Sequence, residues 1–395
     1  MARRTAIVGI YEEPRRLLPG VSALQVQASC ARSALDDAGL DLSAVDAVFD
    51  AFDGGLSSRL AISEYLGLQP KVLDTTMAGG ASFEFHVAHA RNAIAAGKCD
   101  VALLTYGSIN RSASARLGTG AAPSYGAENP AENMEVPWGS TLIANYALVA
   151  ARHAHQYGSR PDQLAEISVA TRAHAVRNPD AVAAMEALRF PTTGEITIDD
   201  VLASPLVADP LHRLECCMVS DGGGAVVLAA EEVARDTRAA PVWVLGTGEA
   251  VGYMRPGDDI CETAASRSGP LAFDEAGISP DQVDVLMTYD SFTITVLTAL
   301  EGLGFCGKGE GGAYVEGGRL RFDRPGGPAL NTDGGGLFSN HPGMRGIFLL
   351  VEAVRQLRGV STAQVPGATV AVAHGNGGML GSRHAAGTVV LGAGS

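Results

Sequence analysis

Three stretches of this sequence carry side chains able to move protons, each in a setting where a substrate could meet them. Tyr289-Asp290-Ser291-Phe292 follows an apolar run and precedes another. The phenol is thereby expected at a strand end, near the sheet edge where loop chemistry is done. Its alternative is a core tyrosine with a satisfied hydroxyl. Asn340-His341-Pro342-Gly343 puts an imidazole at the tip of a turn and not on an apolar helical face. His374-Gly375-Asn376-Gly377-Gly378 offers a second histidine and an amide, either catalytic or capping a turn. The run Gly334-Gly335-Gly336 either lets a ligand lie against backbone or serves helix packing. Asp290 reads as an N-cap for the helix that follows, and Asp221, in a Ser-Asp-Gly-Gly turn, as a holder of loop hydrogen bonds. His153, His155 and His212 lack such contexts, and Cys216 and Cys217 read as buried beside a strand.

The elements that must position these groups show themselves through an internal repeat. Residues 34–48 align without gaps to 272–286, an offset of 238 residues. Each copy reads as a helix stopped at a glycine (Gly39, Gly277), a loop, and a buried strand, Val45 to Phe49 or Val283 to Met287. Upstream, Ala6–Ile10 and Val244–Gly248 match as first strands. Downstream, Thr75–Gly80 and Asn331–Gly336 match as glycine-rich turns leading into helices. A long-period duplication with βα content implies two copies of one α/β unit. The halves are expected over 1–240 and 241–395, the first enlarged by a loop domain at about 110–205 that includes a helix from Leu142 to Tyr157.

Composition limits the partners. A chain of 395 residues, 46% hydrophobic and 18% charged, can bury a sizeable core. Its net charge of −14 argues against a nucleic-acid surface, so an anionic ligand needs a local basic patch, for which Arg111, Arg116 and Arg213 are available. No apolar run is long enough to span a membrane. Six cysteines without CxxC spacing suit a reducing cytoplasm. No metal site and no dinucleotide-binding glycine signature is expected.

Taken in order, these motifs resemble the thiolase superfamily, in particular the sterol-carrier-protein type of thiolase and its lipid-transfer-protein relatives. The resemblance covers essentially the whole chain. It rests on the duplicated half, on Cys216–Val227, on Tyr289-Asp290-Ser291-Phe292 at the family's His-Asp-Cys-Phe position, on Asn331–Gly336, and on Asn340–Gly343 at the Gly-His-Pro turn. It implies a duplicated, five-layered αβαβα architecture, a homodimer, and a pantetheine tunnel for an acyl-CoA substrate, with no covalently bound cofactor. Members of the steroid-degrading branch also associate with a small OB-fold and zinc-ribbon protein.

The resemblance also locates a departure. Met77 stands where a thiolase carries its nucleophilic cysteine, and a thioether cannot be acylated reversibly. The second thiolase cysteine is absent too, leaving His374 or Asn376 in its segment. A tyrosine at position 289 is the pattern of the retro-aldol branch, whereas His341 is thiolase-like, so the chain combines two patterns. The expected activity is retro-aldol cleavage of a β-hydroxyacyl-CoA, possible without an acyl-enzyme. Tyr289 would take the hydroxyl proton, and His341 with the N–H groups of Gly334–Gly336 would hold the enolate; Met77 and Asn376 would line the thioester site. The alternatives are an acetyl-CoA acetyltransferase-like enzyme and a non-catalytic acyl-CoA or lipid-binding subunit.

Overall fold

Strands whose successive side chains are apolar on both sides must be covered on both faces, and that condition organises the molecule. The computed structural model describes residues 3–51, 58–113, 138–139, 141–255, 257–324 and 326–394. Numbering the strands, and the helices of six residues or more, the first part of the chain runs β1 (Thr5–Glu12), α1 (Ala23–Ala38), β2 (Ala47–Asp50), α2 (Ser58–Leu66), β3 (Val72–Asp74), α3 (Ser82–Ala95) and β4 (Val101–Ser108). Then come α4 (Leu142–Tyr157), α5 (Pro161–Ala175), α6 (Pro179–Ala187), α7 (Ile198–Ala203), a hairpin of β5 (Leu206–Ala208) and β6 (Leu211–His212), and β7 (Gly222–Ala230). The remainder holds β8 (Val242–Tyr253), α8 (Ala265–Ala276), β9 (Val285–Thr288), α9 (Thr293–Gly302), β10 (Ala329–Leu330), α10 (Gly346–Leu357), β11 (Val370–Met379) and β12 (Arg383–Ala393).

Ten strands form one sheet in the order β10-β9-β11-β12-β8-β1-β7-β4-β2-β3. The order mirrors itself about the β1–β8 junction, which pairs Ala6 with Trp243 and Ile7 with Val242. Alternation along the strands sorts side chains into layers. Ile7, Phe49, Leu104 and Val226 pack with Met287, Ala373 and Val389 around α3 and α10, which lie between the two halves of the sheet. Ala6, Val48, Leu103 and Val227 face the opposite way, onto α1. Leu286, Val372 and Val390 face α8 and α9. This is a five-layered α/β arrangement, and its middle layer is the most buried: Phe348, Leu349, Leu350 and Val351 of α10 are all fully covered, each contributing about 1.5–3 kcal/mol of apolar burial.

The repeated sequence gives repeated local structure. Ser22 caps α1 through a box with Gln25, and α1 and α8 both stop on a left-handed glycine, Gly39 at φ 73° and Gly277 at φ 68°. The following strands begin later than the apolar run suggests, at Ala47 and Val285, because each is preceded by a 3-10 turn, Leu42–Ala44 or Pro280–Gln282, that uses Val45 or Val283 as its last residue. Helix α4 spans the expected Leu142–Tyr157, between Thr141 as N-cap and Gly158 in the left-handed conformation. Arg116 lies outside the described residues. Among the described residues no helix is long and apolar enough to cross a membrane.

Candidate active site

Strand β9 ends at Thr288, whose N–H is held by the Asn331 side chain at 2.9 Å, and Tyr289 continues it by donating its N–H to the His374 carbonyl at 2.9 Å. The phenol therefore leaves the sheet end on the face shared with α3 and α10. There it meets His341: Oη and Nε2 are 2.8 Å apart and the rings are perpendicular, at 89°.

The loop bearing His341 is fixed from several sides. The His341 N–H donates to Ser220 Oγ at 3.0 Å, and the Tyr106 hydroxyl donates to the Pro342 carbonyl at 2.6 Å. Both side chains are buried, 5% and 8% exposed. Burial pushes the phenol well above its ordinary pKa and lowers the imidazole to about 4. Both rings are thus uncharged at neutral pH, and a single hydrogen lies between oxygen and nitrogen. Such a pair can accept a proton at oxygen while passing its own to nitrogen.

One guanidinium gathers the segments that carry the pair. Arg345, fully buried, donates from Nη2 to both oxygens of Asp333 at 2.8 Å, donates from Nη1 to Asn340 Oδ1 at 2.6 Å, and brings Nε to 3.2 Å from Asp290. It thereby ties the residue after Tyr289, the glycine turn, and the residue before His341. Asp290 does not cap α9 as expected. Ser291 and Phe292 stay outside the helix, Phe292 extended at φ −147°, so that α9 starts at Thr293. Asp290 instead accepts the N–H groups of Gly336 (2.7 Å) and Leu337 (3.3 Å). Its carboxyl is raised to about 6, first by burial, against the lowering effect of Arg345.

That cap corrects the expectation for the glycine run. The N–H groups of Gly334, Gly335 and Gly336 are taken by Asn331, Asp333 and Asp290, and so cannot bind an enolate or a pantetheine arm. The glycines are there for space: a Cβ on Gly335, already at φ 68°, would lie 2.1 Å from Asp290 Oδ2, and one on Gly334 would lie 2.7 Å from the Ala175 Cβ.

His374 is not brought into the pair. Its backbone supports Tyr289, but its side chain lies on the other face of β11, with Nδ1 2.9 Å from Thr388 Oγ1 and burial lowering it to about 3. It shares a small internal cavity with Asn376, Thr263, Thr295 and Thr298, and Asn376 donates to the Tyr146 hydroxyl at 3.0 Å. Successive residues of a strand point to opposite faces; His374 and Asn376, two apart, share the face away from Tyr289.

Met77 is 43% exposed, and its sulfur lies 3.8 Å from Ser82 Oγ. Ser82 is occupied in the turn, accepting from the Ala78 N–H and donating to the Gly79 carbonyl, with no base bonded to it among the described residues. This turn does reach the pair: a Cβ on Gly80 would fall 2.1 Å from Cε2 of Tyr289, so the phenol ring packs closely against Gly80. Cys217, which donates its N–H to the Ser291 carbonyl, has a thiol pushed far up by burial. Burial thus disfavours its thiolate. Cys216 is likewise raised, to about 12.

The other singled-out residues are structural. Asp221 accepts from the N–H groups of Leu18 and Ser112 and from the Ser112 hydroxyl. His153 pairs with Glu301 at 2.9 Å and His212 with Glu215 at 3.0 Å, while His155 is exposed. Sequence reading missed Arg345, Tyr106, Ser220 and Glu84. Glu84 is 1% exposed and, among the described residues, has no hydrogen-bond partner at either carboxylate oxygen. Among the described residues no cluster of potential metal ligands occurs.

Comparisons with known proteins agree with this architecture. Residues 247–393 match the family model described as thiolase C-terminal domain-like. The chain is 31% identical over 394 residues to an acetyl-CoA acetyltransferase of Methanothermobacter thermautotrophicus, covering 96% of this chain and 98% of the other. It is 33% identical over 391 residues to the 17-hydroxy-3-oxo-4-pregnene-20-carboxyl-CoA lyase of Mycobacterium tuberculosis, covering 93% and 95%. A solved structure described as the Ltp2-ChsH2(DUF35) aldolase superposes with a TM-score of 0.86 at 28% identity, covering 98% of this chain and 97% of the other. With sequence relatives matched over nearly their whole length and the layered, mirrored sheet in place, the chain belongs to the thiolase family.

Proposed function

We propose that the protein is a retro-aldol carbon–carbon lyase acting on a β-hydroxyacyl-CoA with a steroid or similarly bulky acyl group. The observation that carries the reading is the uncharged Tyr289–His341 pair, 2.8 Å from oxygen to nitrogen, beside a turn holding methionine in place of a nucleophile. The names of the lyase and aldolase relatives support the substrate class.

In this reaction Tyr289 Oη takes the proton of the substrate's β-hydroxyl while its own proton passes to His341 Nε2. The hydroxyl oxygen becomes a carbonyl oxygen as the Cα–Cβ bond breaks, and the bond's electron pair moves into the thioester as an enolate. The ketone or aldehyde departs. The imidazolium then returns its proton to Cα, giving the shortened acyl-CoA and restoring the neutral pair. No acyl-enzyme forms, consistent with Met77 and with a Cys217 thiol held neutral. The acetyltransferase reading, which a relative's name favours, requires a thiolate that the site does not offer. The reading includes a homodimer, for which the half-exposed edge strand Val72–Asp74 is available. It also includes a small partner protein, since the name of the similar aldolase, Ltp2-ChsH2(DUF35), joins two components. Six unpaired cysteines support a reducing cytoplasm as the setting.

The test is product analysis by mass spectrometry after incubation with β-hydroxyacyl-CoAs and β-ketoacyl-CoAs, with and without free CoA. Release of a carbonyl compound and a shortened acyl-CoA without added CoA is expected. CoA-dependent cleavage of the ketoacyl substrates would overturn the reading in favour of acyl transfer, and silence on both would favour a binding subunit.

A further inference from the structure

A buried carboxyl without a partner is costly, and neutralising it by protonation is the usual outcome. Glu84 is such a group at an unusual place. It lies in the first turn of α3, and a Cβ on Gly375 would fall 2.1 Å from its Oε2, a Cβ on Gly346 2.6 Å from the same atom. Gly375 follows His374, whose register partner on β9 is Thr288, so the missing Gly375 side chain stands beside Tyr289 on the middle-layer face. Gly346 is the first residue of the twelve-residue helix α10. A Cβ on Gly387 would likewise lie 2.6 Å from the Glu84 Cβ. Three absent side chains from α10, β11 and β12 thus leave room for this one side chain on the middle-layer face that Tyr289 shares. The Gly80 backbone, on which the Tyr289 ring rests, lies in the 3-10 turn Gly79–Ala81 that leads into α3.

We propose that Glu84 is a neutral carboxylic acid that donates a hydrogen bond to the thioester oxygen as it becomes an enolate oxygen, completing the site in place of the glycine-turn N–H groups. This rests on the retro-aldol reading given above. Its geometric basis is the glycine-walled position beside Tyr289 and α10, with a proton that has no acceptor in the described structure. Burial raises the carboxyl far above its ordinary range, opposed by its own backbone N–H and by no cation among the described residues. A donor kept neutral in a dry site and aimed at developing charge lowers a barrier without first having to reorganise.

The experiment compares wild type, Glu84→Gln and Glu84→Met in the full-length protein. Gln retains a donor of the same shape and Met removes it. Expected are a kcat for E84Q within about tenfold of wild type, and for E84M a loss of about 10²–10³ in kcat with little change in KM. The melting temperature of E84M should be unchanged or higher, because an unsatisfied buried polar group has gone. Wild-type kcat in E84M would overturn the role of Glu84 and leave the lyase reading standing. If wild type itself cleaves no β-hydroxyacyl-CoA, the lyase reading fails separately, and infrared difference spectroscopy with the non-cleavable butyryl-CoA then decides. A protonated-carboxyl band that is absent from E84Q and shifts on binding supports Glu84 as a donor to a thioester oxygen. A band that is missing, or unmoved by bound ligand, refutes it.

Discussion

Tyr289→Phe removes one oxygen from the molecule and tests the mechanism at its base. The phenol hydroxyl is bonded to His341 Nε2 at 2.8 Å, while the ring is seated on Gly80 and needs no hydroxyl to stay there. Loss of a positioned general base costs about 10²–10⁴ in rate, which at about 1.4 kcal/mol per tenfold is a barrier increase of about 3–5 kcal/mol. The substrate is otherwise bound by the same surfaces, so KM should stay within about threefold and the loss should appear in kcat. The folded state loses a net hydrogen bond and leaves one imidazole nitrogen short of a partner, about 1–3 kcal/mol. For a chain of this length that lowers the melting temperature by only a few degrees. The assay is steady-state cleavage of a β-hydroxyacyl-CoA followed by appearance of the carbonyl product, with circular dichroism melting in parallel. A folded Y289F variant that turns over at the wild-type rate would refute the assignment of the phenol as base.

His374→Ala should leave kcat within about threefold of wild type while lowering stability by about 1–3 kcal/mol, because its imidazole is bonded to Thr388 on the far face of β11; a kcat loss as large as that of Y289F in steady-state assays would show that this face takes part in the reaction. Arg345→Lys keeps the charge but cannot span Asp290, Asp333 and Asn340 together. A lower kcat and a lower melting temperature are expected together, and an unaffected kcat would mean that the three segments hold their places without the fork. His86, His174, His341 and His374 are all held below the ordinary histidine value, at about 4, 4, 4 and 3. At these histidines the unfolded chain therefore binds more protons than the native one as pH falls from about 6.5 toward 4. Urea unfolding midpoints should fall across that window, and a midpoint flat from pH 7 to 4.5 would show that these histidines are not buried in neutral form.

The repeat is the part of the fold that a single sequence shows best, because helix stops and buried strands are local signals. Gly39 and Gly277 are both left-handed helix ends at the positions the alignment gave them, and Ala47 and Val285, 238 residues apart, both begin strands. The candidate site was legible in its residue types and not in its geometry. Tyr289 and His341 stand out as a strand-end phenol and a turn imidazole, but their contact depends on the register of β9 with β11 and on the Arg345 fork, which no local pattern encodes. Asp290 was misread because an acidic residue just before an apolar helix is ordinarily its cap, and here two further residues delay the helix. His374 was over-read because strand alternation fixes its face only once the face of Tyr289 is known. Glu84 gave no signal at all: within Ser82–Val87 it looks like a solvent-facing helix residue, and the glycines that enclose it come from distant strands and from α10.

The seating of the Tyr289 ring on Gly80 has a mechanical meaning. The phenol belongs to the later copy of the repeat and the glycine to the earlier one, and the backbone ladder directly joining the two sheet halves pairs only two residues of each strand. The proposed reaction centre is thus a joint between the copies, aligned by the packing of α3 and α10 more than by that ladder. A disturbance that lets the copies slip by a fraction of an ångström, even one made at a remote point of the middle layer, would disengage the catalyst while every strand and helix remained intact. On this reading turnover is a more sensitive gauge of how the two copies fit than any measure of secondary structure.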